Sequence, residues 1–311
     1  MLNRSYIFPF FISLGGYIFM VSMDAVIKVL GSHYPILQLL FFNALFSLLP
    51  LTYFILKNHG LHFYRDQNYK FQFARGCIHT LGFFFVLMGV LKLPLSVVYP
   101  VLFTSPLMLL LMSHFILNEN INIIRILAIF LGFSGVIISA EPFGNSQVSL
   151  LGIFLVFIGA FCIALTNLLT RKYFHLSSSF SAAFFSMIVS VIAFLIAMKF
   201  SFVVMTVNDL LLSAFGGVLA GLGISAIIYG SRMLPASIYG MTSYFQLIYG
   251  IIFGWVIFQQ LPTFFNYIGI FFVFSAGIAL FYFDKNKNES QSYFTFNCSF
   301  NFCLCCFYLS F

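Results

Sequence analysis

Ten apolar stretches, each close to the length of a bilayer-spanning helix and almost without charge, follow one another from Ile7 to Phe283. A membrane helix takes about 20 mostly apolar residues. In hydrocarbon every backbone N–H and C=O must be satisfied within the chain, so such stretches fold as helices. Composition agrees: 62% of residues are hydrophobic and 7% charged, where a soluble domain carries roughly 25% charged residues. No separate soluble domain fits between the stretches.

Reading apolar runs between polar, Pro and Gly punctuation predicts helices at 7–30, 35–56, 72–91, 95–117, 123–140, 149–170, 179–200, 210–230, 236–258 and 264–283. The run from Tyr6 to Leu30 is too long for a signal peptide and lacks a small-residue cleavage pattern, so it is expected to stay as the first helix. One loop, Lys57 to Lys70, is long and polar. Pro100 and Pro106 fall inside the fourth helix and predict a bend there.

The formal charge is +7. Its basic residues stand singly or in pairs between apolar runs, which speaks for membrane topology and against a nucleic-acid partner. With a cytoplasmic N-terminus, Arg4, Lys57, Arg65, Lys70, Arg75, Arg125, Arg171, Lys172, Arg232, Lys285 and Lys287 gather on the cytoplasmic side. Lys28, Lys92 and Lys199 lie opposite, eleven against three. Both termini are therefore expected in the cytoplasm, as in a bacterial inner-membrane protein. Of six cysteines, Cys77 and Cys162 sit alone in apolar runs, and four crowd the Phe-rich tail from 284 to 311 without zinc-site or disulfide spacing.

The chain repeats itself. A shift of 141 sets Gly76, Leu81, Gly82, Gly89, Leu93, Pro94 and Ser96 over Gly217, Leu222, Gly223, Gly230, Leu234, Pro235 and Ser237 without a gap. A shift of 143 pairs Phe11, Gly16, Phe41, Phe42 and Ser47 with Phe154, Gly159, Phe184, Phe185 and Ser190, and sets Asp24 over Asn167. The expected fold is an all-α membrane protein of about ten helices in two repeats, 1–145 and 146–283. Five helices per unit is an odd number, so the second unit enters the membrane inverted. Two inverted units can exchange conformations and open a midplane site to either side in turn.

The run ARGCIHTLGFFFVLMGVLKLPLSVVYPVLFTSPL from Ala74, FILNENINIIRILAIFLGFSGVII from Phe115 and LTRKYF from Leu169 resemble the drug/metabolite transporter superfamily with paired EamA domains. Within it, MDAVIKVL from Met23 resembles the branch that takes up S-adenosylmethionine; Asn43 stands where that branch commonly has Arg. The resemblance implies a permease with a small-molecule substrate, the lipid bilayer as its surroundings, and a proton or counter-substrate as coupling partner. No Walker loop and no HExxH occur, so no cofactor or metal is expected.

Candidate substrate-binding residues are the polar groups at membrane depth. Asp24 is the one carboxylate inside a span, and Lys28 follows one turn later in the order that favours an ion pair. In the ninth helix Tyr239, Thr242, Ser243 and Gln246 recur at three- and four-residue spacing as one polar stripe. Ser105 is the polar repeat partner of Gln246, and Asn167 that of Asp24. His79 and Tyr229 complete the set. Each has a structural alternative: an orienting ion pair for Asp24, interhelical hydrogen bonding for the stripe, a satisfied core group for His79. A rival from another class is an intramembrane serine protease, because Gly132–Phe133–Ser134–Gly135 spells GxSG. The histidine it needs is limited to His175 in a loop. A passive channel or helical scaffold is the third alternative.

Overall fold

The structure, a computed structural model, describes residues 4–60, 68–117, 123–140, 149–173, 179–199, 201–234 and 236–290. Among these residues the regular structure is all helical: α1 (Arg4–Leu30), α2 (Ile36–His59), α3 (Tyr69–Lys92), α4 (Leu95–Leu102), α5 (Thr104–Leu117), α6 (Ile123–Ala140), α7 (Leu150–Lys172), α8 (Ser179–Met198), α9 (Val207–Met233), α10 (Ala236–Phe258) and α11 (Phe264–Ser290). The Cys-rich tail and the middle of the Lys57–Lys70 loop lie outside the described residues.

Eleven helices make ten crossings, because α4 and α5 are two pieces of one span. The break has a local cause. Pro106 offers no N–H to the Leu102 carbonyl and its ring would strike that group, so α4 ends at Leu102 and α5 restarts at Thr104. Thr104 Oγ1 donates to the Val101 carbonyl at 2.7 Å. Seven helices are long and apolar enough to cross a bilayer, and shorter apolar helices cover Ile126–Ser139, Thr242–Phe258 and Phe264–Ala279. Side chains such as Phe115 and Phe130, 77% and 71% exposed, point outward, where lipid and not water must receive them.

One expectation is corrected: the helix predicted to stop at 283 continues to Ser290, because loss of hydropathy marks where a span leaves hydrocarbon and not where its backbone hydrogen bonds end. Arg75 lies inside α3, as its place in the predicted helix requires, and is completely buried.

The repeats interlock mate for mate. A methyl built on Gly16 of α1 would lie 3.0 Å from the Gly223 carbonyl of α9, and one on Gly223 would lie 3.0 Å from the Gly16 carbonyl. Gly159 of α7 and Gly82 of α3, the repeat mates of that pair, meet the same way, at 3.1 and 3.5 Å. Farther along, Gly230 faces Ser13 and the Pro9 carbonyl, while Gly89 faces Val156 and the Gly152 carbonyl. Each repeat's third helix thus lies against the other repeat's first, with small residues letting the backbones touch. At one end the repeats are also tied by side chains. Gln38 donates to the Val203 carbonyl at 2.7 Å and accepts from its N–H at 2.9 Å, and Tyr34 donates to Asp209 Oδ2 at 2.7 Å.

Candidate functional site

The polar stripe of α10 is buried against α1 and α4. Tyr17 of α1 donates its hydroxyl to that of Tyr239 at 3.3 Å. Seven residues on, Asp24 accepts at Oδ2 from the Tyr99 hydroxyl of α4 at 2.8 Å. The Tyr99 ring lies directly on Gly250, where a side chain would occupy the same space. Phe103 stacks on Tyr244, ring centroids 5.3 Å apart, so α4 runs antiparallel to α10. Gln246 therefore lies on α10 between Tyr239, which meets Tyr17, and Gly250, which the Asp24-bound Tyr99 covers.

Within this column some groups are already engaged. Thr242 Oγ1 donates to the Tyr239 carbonyl at 2.6 Å, inside its own helix, and Ser243 also has a partner. Others are not: both amide atoms of Gln246, Oδ1 of Asp24 and Oγ of Ser105 are buried without a hydrogen bond. Ser105 occupies the first turn of α5, just past the break. An amide buried in hydrocarbon without a bond costs several kcal/mol, so these atoms can receive a polar solute.

Lys28 does not close the expected ion pair with Asp24. Its ammonium donates to the Leu93 carbonyl, sits 3.5 Å from Gln260 Oε1 and lies 5.1 Å from the centre of the Phe258 ring. Tyr99 has taken Asp24, and the lysine stem is long enough to carry the charge toward the helix end. There it lines a cavity of 710 Å³ between Leu91–Pro94 and Phe258–Leu261.

Other expected residues fall elsewhere. His79 stacks on Phe83 at 6.1 Å, Phe83 packs on Phe194 of α8, and both ring nitrogens of His79 are buried without a bond. Asn167, buried and partnered, precedes Thr170 by one turn on α7. His79 follows Arg75 by one turn of α3, and Arg75 centres a second polar cluster, donating to Thr170 Oγ1 at 2.8 Å, to the Ala182 carbonyl at 2.8 Å and to Ser186 Oγ at 2.5 Å. Tyr229 is half-buried on α9 with no hydrogen bond among the described residues. The GxSG run is a helix crossing: Gly135 and Gly269 of α11 each leave no room for a side chain against the other's carbonyl. Ser134 donates to Leu131 of its own helix at 2.8 Å. His175 lies outside the described residues.

A model of the EamA-like transporter family matches this chain twice, over residues 8–140 and 150–283. The chain belongs to that family. It is a multi-pass membrane permease for small metabolites. Relatives named S-adenosylmethionine uptake transporter include two from Rickettsia species. The one from Rickettsia bellii is 23% identical over 268 residues, covering 86% of this chain and 91% of the relative. The one from Rickettsia felis is 24% identical over 272 residues, covering 86% and 92%. A solved structure described only as the crystal structure of a protein shares the fold, with TM-score 0.64, 14% identity, and coverage of 92% of this chain and 99% of that one.

Sequence reasoning missed Tyr17, Tyr99, Arg75 and Gln260. Tyr17 had a signal, since it lies seven residues before Asp24 on one helical face. Tyr99 had none: its role depends on Gly250, 151 positions away in the chain.

Proposed function

We propose that this EamA-like permease is a secondary active transporter working by alternating access around the α1–α4–α10 column. Its cargo is S-adenosylmethionine or an amino-acid-like solute. The observation that carries this reading is the buried, unbonded amide of Gln246, on α10 between the Tyr17 and Tyr99 contacts and beside a helix broken at Phe103. A broken helix lends a gate its hinge and a site its free carbonyls. The names of the rickettsial relatives support the cargo.

The test is uptake into proteoliposomes holding the full chain. Gln246→Ala is expected to raise the apparent KM for the transported solute several-fold while the detergent melting temperature barely moves. An unchanged KM with a loss of stability near 0.6 kcal/mol, the average for interhelical hydrogen bonds, would return Gln246 to helix packing. The termini face the cytoplasm in this reading, supported by the asymmetry of basic residues, and the Lys28 cavity opens outward. A reporter fused at Phe283 that is active only outside the cell would reverse that orientation.

A further inference from the structure

Asp24 and Lys28 are opposite charges one turn apart on one helical face, the spacing at which such residues ordinarily pair. Here each is held by neutral groups. Asp24 is 5% exposed and bonded through Oδ2 to Tyr99, with Oδ1 unbonded. The Lys28 ammonium rests on a carbonyl, an amide oxygen and an aromatic face. A second ammonium, exposed Lys92, stands on the wall of the same cavity, and among the described residues no carboxylate lines it. The turn that presents Gln260 bends through Gln259 at φ +54°, a left-handed conformation that costs a non-glycine residue energy and that tends to persist where a structure needs it.

These facts constrain the charge of a ligand. A simple cation approaching from the cavity meets two ammonium groups before it reaches Asp24. A simple anion that passes Lys28 meets the Asp24 carboxylate one turn, about 6 Å, deeper. A solute carrying both charges a few bonds apart satisfies each, and its carboxylate gives Lys28 a charge-assisted bond stronger than those to Leu93 and Gln260.

We infer that Asp24 and Lys28 divide the charges of a zwitterionic solute, Lys28 taking its carboxylate on the cavity side and Asp24 its cationic centre one turn farther in. This rests on the permease reading above and assigns charge recognition within it to two residues. The ligand also draws Lys28 off Leu93 and Gln260, which belong to different repeats, so recognition loosens a tie between them.

Uptake into proteoliposomes is measured for methionine and S-adenosylmethionine, for their decarboxylated, cation-only counterparts, and for the anion-only 2-hydroxy analogue of methionine. The intact chain is expected to favour a zwitterion at least tenfold in KM over both single-charge forms. Lys28→Gln is expected to erase the preference over the cation-only form while keeping that over the anion-only form. Asp24→Asn is expected to do the reverse. Lys28→Arg and Asp24→Glu, which keep the charges, should retain both preferences and so separate charge reading from misfolding. Variants that weaken all forms alike, or an intact chain that carries a singly charged or neutral solute equally well, would overturn the inference and leave the permease reading standing. An intact chain that carries no solute at all would sink that reading and this one with it.

Discussion

The two interfaces that join the repeats are copies of one another built with different chemistry. Where α3 meets α7 and α8, Gly76 packs on Val189, Thr80 and Ser190 share a hydrogen bond of 2.8 Å, and Arg75 ties three helices through Thr170, Ala182 and Ser186. Where α9 meets α1 and α2, the mates are Gly217 on Phe46, Gly221 against the Ser47 carbonyl, and Gly216 against Val26. Asn43, the mate of Ser186, keeps a buried amide with no partner there. One interface is stapled by a guanidinium; the other closes on glycine–backbone contacts, with its side-chain ties, Gln38 to Val203 and Tyr34 to Asp209, at one end. In the alternating-access reading proposed for this permease, these are the surfaces that trade places. Their unequal chemistry means that the two closed states need not be equally stable.

Removing the staple should have the largest effect. Arg75→Met deletes at least three bonds from a buried charged donor, each worth about 1.5 kcal/mol. It should lower stability by about 4.5 kcal/mol, read as a fall in detergent melting temperature. Arg75→Lys should recover only part of that, because one ammonium cannot reproduce the planar fork that reaches two helices. Full recovery by lysine would mean that charge alone matters and would weaken the contrast between the interfaces.

A smaller loss is expected from Gly221→Val. Its side chain would enter the Ser47 carbonyl and Pro50, where overpacking costs about 2 kcal/mol. If the melting temperature of that variant held, the backbones at α2 and α9 could part cheaply, and the second interface would be the looser of the two.

The repeat was legible in the sequence because a glycine at a helix crossing cannot be replaced without separating two backbones. Gly82 and Gly223 therefore stand at the same register in both halves, and the structure finds them at equivalent crossings. The all-helical fold was legible because uncharged runs of about 20 residues match a membrane helix, which satisfies its own backbone in hydrocarbon. So was the stripe of α10, since spacing along one helix fixes one face.

Long-range choices between partners were not legible. The i to i+4 spacing of Asp24 and Lys28 offers a pair, but Tyr99 comes close enough to take Asp24 because Gly250 on a distant helix yields space for its ring. Nothing in the α1 sequence carries that information. Arg75 reads as one cation among fourteen basic residues, and only the crossing of α3 with α7 and α8 supplies the oxygens that hold it inside. The sequence by itself determined periodicity, span length and repeat register, which are properties of a helix and its solvent. Tertiary structure decided which polar groups meet, because a buried charge is assigned by the neighbours that surround it and not by its own stretch of chain.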